Sequence, residues 1–132
     1  MTYIAPRTVL VVDDSPQVAA NLEIALTAGT DLTVEVAASA QEALAILRHH
    51  GASIVALVTD LEMPTMDGFE LIDLLRRDPR WAAMPIIVSS GTADPEAPRR
   101  AERLGANAYF AKPYSPMQLC KKLNSLLEGP KS

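Results

Sequence analysis

Short apolar runs alternate along this chain with segments of helical periodicity, and this alternation constrains the fold more than any other feature. Each run has the composition of a β-strand and contains four or five residues, and a helix-period segment follows it. The predicted strands are Val9–Val12, Leu32–Val36, Ile54–Val58, Pro85–Val88 and Ala108–Ala111. Strands that alternate with helices build βα units, so the sequence predicts a parallel sheet covered by helices.

Residues that cap or end helices mark the segments between the strands. Ser15 is placed to cap the first helix, Pro16 suits its first turn, and Gly29 ends it. The four later helices are predicted at Gln41–His50, Gly68–Arg77, Asp94–Leu104 and Pro116–Leu127. Pro98 removes a backbone donor near the start of the fourth helix, which we therefore expect to start late or to be mobile.

The polarity of the strands predicts their order in the sheet. Ile54–Val58 is continuously apolar, as expected of a strand covered on both faces, whereas Leu32–Val36 alternates and Ala108–Ala111 is less apolar, which is typical of edge strands. With right-handed crossovers, the predicted fold class is α/β, a doubly wound five-stranded parallel sheet with five helices and the flavodoxin-like order 2-1-3-4-5. We expect one domain over residues 1–132, with its core at about residues 8–128.

The composition and charge are those of an ordinary globular domain. The chain of 132 residues is 48% hydrophobic and carries a formal net charge of −4, which gives no electrostatic case for nucleic acid as a direct ligand. No segment approaches the ~20 apolar residues of a membrane span, and the first residues, MTYIAPR, lack the features of a secretory signal. A single cysteine, Cys120, cannot form an internal disulfide. We therefore expect a cytoplasmic protein with no membrane partner.

Polar groups that suit phosphoryl chemistry follow four of the five predicted strands. These groups are Asp13 and Asp14 after the first strand, Asp60 after the third, Ser89 and Ser90 after the fourth, and Lys112 after the fifth. Because the carboxyl ends of parallel strands lie along one edge of a sheet, these groups are expected to meet in the crevice where open α/β sheets bind ligands.

Three carboxylates in one crevice are expected to hold a proton or to recruit a cation. Two carboxylates about 4 Å apart repel by roughly 4 kcal/mol at an effective dielectric of about 20. Their hard oxygen atoms select Mg²⁺, or Mn²⁺, as the cofactor. Lys112 supplies a second cation and the Ser90 hydroxyl can donate to a phosphoryl oxygen. Positioning and charge of this kind are what phosphoryl transfer mainly requires.

Four sequence segments then resemble a known family, the response-regulator receiver domains of two-component signalling, and in particular its chemotaxis-regulator-like members. The segments are VVDDSP at 11–16, TDLEMPTMDGFEL at 59–71, PIIVSSG at 85–91 and YFAKP at 109–113. They fall in the family's order and spacing, and the resemblance covers essentially the whole chain.

The resemblance implies a role for each residue at the predicted site. Asp60 is implied as the phosphoacceptor, which forms an acyl phosphate. Asp14 and Asp60 are implied as direct Mg²⁺ ligands, together with the backbone carbonyl of Glu62, and Asp13 is implied to act through water. Lys112 is implied to pair with the phosphoryl group, and the Lys112–Pro113 bond is commonly cis in this family.

The resemblance also implies a switch and its partners. Ser90 and Tyr109 are implied as switch residues, through which phosphorylation shifts the population of conformations at the surface of helix four, strand five and helix five. The implied partners are a sensor histidine kinase or histidine phosphotransfer protein and a downstream protein effector. Only weak self-phosphorylation and self-dephosphorylation are expected, so the protein is not expected to be an enzyme.

Two features depart from the family pattern or leave it open, one segment and one pair of positions. The segment GANAYFAKP has no acidic pair before the aromatic residue, so it gives no support for dimerisation through that surface, and the oligomeric state stays open. Glu62 and Thr92 occupy positions that tune the lifetime of the acyl phosphate in the family, but their identities do not assign a lifetime.

Alternative interpretations remain for the whole chain and for single residues. A metal-dependent phosphatase of small phosphate esters is the main functional alternative, although the adjacent Asp13 and Asp14 argue against the haloacid-dehalogenase type, which places its two acids two positions apart. A flavin-binding module lacks the expected phosphate loop after strand one. Asp67–Gly68 is interpreted as a turn and helix start, and Ser89 as a packed strand residue.

Overall fold

The computed structural model describes residues 6–129 as a parallel sheet between two layers of helices. The strands are β1 (Thr8–Val12), β2 (Thr33–Ala37), β3 (Ile54–Thr59), β4 (Ile86–Ser90) and β5 (Ala108–Ala111). The helices are α1 (Pro16–Gly29), α2 (Ala40–His50), α3 (Gly68–Arg77), α4 (Ala97–Leu104) and α5 (Pro116–Glu128). The first five residues of the MTYIAPR segment and residues 130–132 lie outside the described residues.

The sheet has the order β2-β1-β3-β4-β5, and every neighbouring pair of strands is parallel. This confirms the predicted fold class and the predicted strand order. Strands β1 and β4 are buried along their whole length, whereas β2 and β5 are partly exposed, as expected of strands at the two edges.

Successive residues of the central strands enter two separate cores, because side chains alternate between the faces of a strand. Leu10 and Leu57 pack with α2, α3 and α4 on one face, whereas Val9 and Val58 pack with α1 and α5 on the other. The helices therefore cover the two faces in a three-plus-two arrangement, and the carboxyl ends of the strands stay open at one edge.

Four of the five strands differ from their predicted bounds by one or two residues, and only β5 has both predicted ends. Strand β2 begins at Thr33 rather than Leu32, because Thr33 N donates to the carbonyl of Arg7 and starts the ladder, whereas Leu32 N donates to Thr30 Oγ1 in the preceding turn. Strand β4 begins after Pro85 and continues through Ser90, since its last two residues pair with β5.

The helix starts agree with the capping residues in the sequence. Ser15 Oγ accepts from Val18 N at 3.4 Å, and α4 starts late, at Ala97, with Pro98 in its first turn. Asp67 forms a capping box with Glu70, which confirms the interpretation of Asp67–Gly68 as a turn and helix start. Among residues 6–129, no helix has both the length and the apolar character needed to cross a bilayer.

The loop between α3 and β4 carries Trp81, the only tryptophan in the chain, and buries it. The indole packs beside Gly51 at the end of α2, where an added Cβ would lie 2.6 Å from its Cη2 atom. The Trp81 carbonyl accepts a hydrogen bond from Arg76 Nη1 at 2.8 Å. The indole therefore belongs to the core between α2 and α3.

Candidate functional site

Three carboxylates meet at the carboxyl ends of β1 and β3, and we call them the acidic triad (Asp13, Asp14 and Asp60). One oxygen of each lies within 4.8 Å of the others. Their proximity follows from the strand order, because Val12 pairs with Thr59 and the next residue on each strand carries a carboxylate. Asp13 and Asp60 are buried, with 4% and 8% of their surface exposed, whereas Asp14 is exposed.

Each oxygen of the Asp13 carboxylate has its own partner. Asp13 Oδ1 accepts from the backbone amide of Ser15 at 2.8 Å, and Asp13 Oδ2 lies 3.2 Å from Lys112 Nζ. The hydroxyl of Ser15 is itself the cap of α1. Asp13 therefore shapes the turn before α1 and also forms an ion pair with the cation of the crevice.

The two oxygens of Asp60 face different surroundings. Asp60 Oδ1 accepts from the amides of Leu61 at 2.7 Å and Glu62 at 3.4 Å. Asp60 Oδ2 lies 3.8 Å from Lys112 Nζ. Backbone amides thus hold one oxygen in place, and the other is directed to the crevice.

Burial raises the pKa of Asp60 above its ordinary value of 3.8. The Lys112 ammonium opposes this rise, whereas the neighbouring Asp13 carboxylate adds to it. The two amides bonded to Oδ1 oppose the rise as well, because they favour the charged form. Without a bound cation, burial in the crevice therefore disfavours the ionised form of Asp60.

Gly68 lets the start of α3 pack directly against the segment that carries Asp60. A Cβ added at Gly68 would overlap the Asp60 carbonyl oxygen and would lie 2.8 Å from the Cα atom of Leu61. The amide of Gly68 donates to the Leu61 carbonyl at 2.9 Å. The loop after β3 is therefore held against α3 immediately beside the acidic triad.

A backbone hydrogen bond joins the first residue after β5 to the end of β4. The amide of Lys112 donates to the Ser90 carbonyl at 2.8 Å, and the Lys112–Pro113 bond is cis, as the resemblance implies. Ser90 is fully buried, and its Oγ accepts from the amide of Thr92 at 3.2 Å. Tyr109 is partly buried on β5, pairs with Val88, and packs against the core on the α2–α3–α4 side.

Comparison with known proteins decides the family to which the chain belongs. The model of the response regulator receiver domain matches residues 9–124, nearly the whole chain. The chain belongs to the response regulator receiver domain family. Receiver domains act in two-component signalling, which agrees with the resemblance of the four sequence segments.

Relatives of this receiver domain include short proteins and longer ones. Response regulator Rre1 of Synechocystis sp. is 30% identical over 122 residues, which are 92% of this chain and 52% of Rre1. A 14.6 kDa protein of Leptolyngbya boryana is 37% identical over 121 residues, which are 92% of this chain and 90% of that protein. The solved structure of the chemotaxis protein CheY4 of Vibrio cholerae matches with a TM-score of 0.80 and 31% identity, covering 91% of this chain and 98% of CheY4. The chain therefore spans about half the length of Rre1.

The acidic triad of this receiver domain fits a hard divalent cation. Its three carboxylates offer oxygen atoms within 4.8 Å of one another, and two of the three residues are buried. Mg²⁺ takes one or two carboxylates together with water and phosphate oxygens, and the triad supplies the carboxylates of such a set. The exposed position of Asp14 leaves the site open on one side.

The structure brings together Asp13, Asp14, Asp60 and Lys112, and it places Ser90 at the end of the neighbouring strand. The Glu62 side chain is exposed, and its amide contacts Asp60. Sequence reasoning missed one contact of this receiver domain, the hydrogen bond between Ser89 Oγ and Tyr114 Oη at 3.0 Å. A polar residue inside an apolar strand was the only signal of it.

Proposed function

We propose that this receiver domain accepts a phosphoryl group on Asp60 in the presence of Mg²⁺, or Mn²⁺, and signals through changed protein contacts. The observation that carries the proposal is that the two oxygens of the Asp60 carboxylate have different partners. Amides hold Oδ1, while Oδ2 lies 3.8 Å from Lys112 Nζ at the edge of the acidic triad. An oriented carboxylate oxygen beside a cation is what attack on phosphorus needs.

The proposed donor is the phosphohistidine of a sensor histidine kinase or of a histidine phosphotransfer protein. Asp60 Oδ2 forms the new O–P bond, the N–P bond of the phosphohistidine breaks, and the imidazole leaves with the electron pair of that bond. The Lys112 ammonium, now 3.2 Å from Asp13 Oδ2, stabilises negative charge on the transferred group. The Ser90 hydroxyl donates to a further phosphoryl oxygen.

The proposed ligands of the cation are Asp14, Asp60 and the backbone carbonyl of Glu62, with Asp13 acting through water. The support is the chemistry of the donor set, since carboxylate and carbonyl oxygens suit Mg²⁺. A cation bound there neutralises charge on the phosphoryl group. Asp13 and Asp14 keep their oxygens close to Asp60, so binding relieves the repulsion among the three acids.

The proposed output is the surface of α4, β5 and α5, which a downstream protein effector recognises. Ser90 is buried at the end of β4, and Tyr109 packs from β5 against the core that contains Ala97 and Ala101 of α4. A phosphoryl group that draws in the Ser90 hydroxyl therefore changes the space available to Tyr109 and α4. We propose a conformational switch of this kind rather than an enzyme with turnover.

We also propose the extent of the domain and its location in the cell. Residues 1–132 are proposed to form a single receiver domain with its core at about residues 8–128. A cytoplasmic location is proposed because the single cysteine, Cys120, is buried and free.

Intact-mass analysis tests the proposal. Incubation with Mg²⁺ and acetyl phosphate is expected to add one phosphoryl group that hydroxylamine removes. Asp60→Asn and treatment with a chelator are each expected to abolish the addition. An addition that survives in Asp60→Asn would exclude Asp60 as the acceptor, and steady turnover of small phosphate esters would instead support the phosphatase alternative.

A further inference from the structure

Two hydroxyl groups form a hydrogen bond between β4 and the residues that follow β5. Ser89 Oγ and Tyr114 Oη are 3.0 Å apart, although the two residues are 25 positions apart in the chain. Ser89 is 2% exposed, and Tyr114 packs against the core on the α1–α5 side of the sheet. The Tyr114 ring also contacts Phe110, with ring centroids 5.8 Å apart.

The hydroxyl of Tyr114 makes a hydrogen bond to β4, whereas its ring makes only packing contacts. A phenylalanine at this position would keep the contact with Phe110 and the packing against the core. It would leave the buried Ser89 hydroxyl without its partner, and buried polar groups are nearly always hydrogen-bonded. The pair therefore fixes the direction of the Tyr114 side chain more closely than ring packing alone.

Two hydrogen bonds join the segment after β5 to β4, one at the amide of Lys112 and one at the side chain of Tyr114. The Lys112 amide donates to the Ser90 carbonyl at 2.8 Å, and Tyr114, two residues later, is held by Ser89. The ammonium at the other end of the Lys112 side chain lies 3.2 Å from Asp13 Oδ2 and 3.8 Å from Asp60 Oδ2. The backbone from which this side chain extends is therefore held on both sides.

We propose that Tyr114 is a positioning residue that acts through Lys112. Its hydroxyl, bonded to Ser89, holds the segment so that the Lys112 ammonium meets the phosphoryl group at Asp60. This inference rests on the proposed function of Asp60 and Lys112. Tyr114 itself is assigned no contact with the phosphoryl group. Because it acts through Lys112, which pairs with that group, its effect is expected in binding of the phosphoryl group and not in binding of the cation alone.

Calorimetric titration of Tyr114→Phe with beryllofluoride, a phosphoryl mimic, in the presence of Mg²⁺ tests the inference. Binding is expected to weaken by about threefold to tenfold, the range that one neutral hydrogen bond spans. Ser89→Ala is expected to weaken it by a similar factor. Titration with Mg²⁺ alone is expected to give the wild-type affinity in both variants, because the acidic triad is unchanged.

The double variant Ser89→Ala/Tyr114→Phe separates positioning from stability. It leaves neither hydroxyl without a partner, so its urea midpoint is expected to return toward the wild-type value. Its beryllofluoride affinity is expected to remain low, since the tether is still missing. Recovery of the affinity together with the stability would overturn the inference.

Thr33→Val provides a matched control at the opposite end of the sheet. It removes a hydroxyl that lies 2.7 Å from Thr8 Oγ1, far along the strands from the carboxyl edge. It is expected to lower stability and to leave beryllofluoride binding unchanged. An equal loss of beryllofluoride binding in Thr33→Val would overturn the inference by showing a general effect of destabilisation.

The two proposals fail in different ways. A wild-type protein that neither binds beryllofluoride with Mg²⁺ nor gains a phosphoryl group would overturn both. A wild-type protein that does both, alongside a Tyr114→Phe variant of equal beryllofluoride affinity, would overturn only the role of Tyr114.

Discussion

At the scale of single residues, burial and charge at Asp60 work against each other. The carboxylate is buried next to Asp13, which disfavours its charge, while Lys112 and two backbone amides favour it. The balance raises the pKa of Asp60 from 3.8. A charged group kept at some cost in a buried position is typical of functional sites.

Asp60→Asn is expected to stabilise the metal-free protein at neutral pH. Because the pKa of Asp60 is raised on folding, the folded state binds more protons than the unfolded chain between pH 3.8 and the raised value. The contribution of Asp60 to stability therefore falls as the pH rises through that window. Asparagine does not ionise, so its advantage is expected near neutral pH and is expected to vanish below pH 3.8.

Urea denaturation followed by circular dichroism, in the presence of a chelator, measures this difference. Asp14→Asn is the matched control, since it removes a carboxylate that is exposed rather than buried. A stability gain of Asp60→Asn that persists unchanged in acid would contradict the explanation.

Among the elements, strand and helix cores were predictable, whereas their ends depended on distant partners. Ala108–Ala111 and Gly68–Arg77 have the predicted boundaries. Strand β4 extends to Ser90 because β5 lies beside it, and no local pattern in a serine pair predicts that partner. For the same reason the Ser89–Tyr114 bond could not be predicted, whereas the charged residues at strand ends could.

Arg76 joins α3 to the turn between α4 and β5. Its guanidinium donates to the Gly105 carbonyl from both Nε and Nη2, at 3.0 and 2.8 Å, and to Asn107 Oδ1 at 3.0 Å. Asn107 Oδ1 also accepts from the amide of Ile86 at the start of β4. The side chains of Arg76 and Asn107 together therefore link α3, the turn between α4 and β5, and the start of β4.

Arg76→Ala is expected to lower the free energy of unfolding by about 2–3 kcal/mol, because several partly buried acceptors lose a charged donor together. Arg77→Ala is the matched control. Arg77 is exposed and pairs with Asp73 one turn earlier on α3, so its loss is expected to cost less than about 0.5 kcal/mol. Equal urea midpoints for the two variants would contradict the role given to Arg76.

Gly68→Ala is expected to destabilise the contact between α3 and the loop after β3 by about 1–3 kcal/mol. The added Cβ meets backbone atoms of Asp60 and Leu61, which cannot rotate away. Gly91→Ala is the control, because its Cβ would lie at an ordinary 3.8 Å from the Lys112 side chain. Urea denaturation of both variants checks the difference, and a Gly68→Ala protein as stable as Gly91→Ala would disprove it.

For the molecule as a whole, the order of the strands decides which residues can act together. The order β2-β1-β3-β4-β5 places the ends of β1 and β3 side by side, so Asp13 and Asp60 meet although they are far apart in the chain. The pattern of apolar runs was sufficient to predict this order. Together with the acids that follow the runs, it was also sufficient to predict the acidic triad, because Asp13 and Asp60 directly follow β1 and β3 and Asp14 comes next after Asp13.

Binding of Mg²⁺ to this crevice is expected to stabilise the entire fold. A ligand that binds only the folded state adds about 2.7 kcal/mol when its free concentration is a hundred times the dissociation constant. Thermal unfolding with and without Mg²⁺ measures the effect in the wild type. Asp14→Asn is expected to lose most of it while keeping the fold, since Asp14 is exposed. An unchanged Mg²⁺ effect in that variant would exclude Asp14 as a ligand.

The burial of Trp81 between α2 and α3 determines what intrinsic fluorescence can report. It is the only indole in the chain, and it belongs to a hydrophobic core cluster rather than to the acidic triad. Its emission is therefore expected to change when the molecule unfolds and to change little when phosphate arrives. Detecting phosphorylation by fluorescence would need a dye or a second tryptophan placed elsewhere. The fluorescence of Trp81 then reports unfolding without interference from phosphorylation.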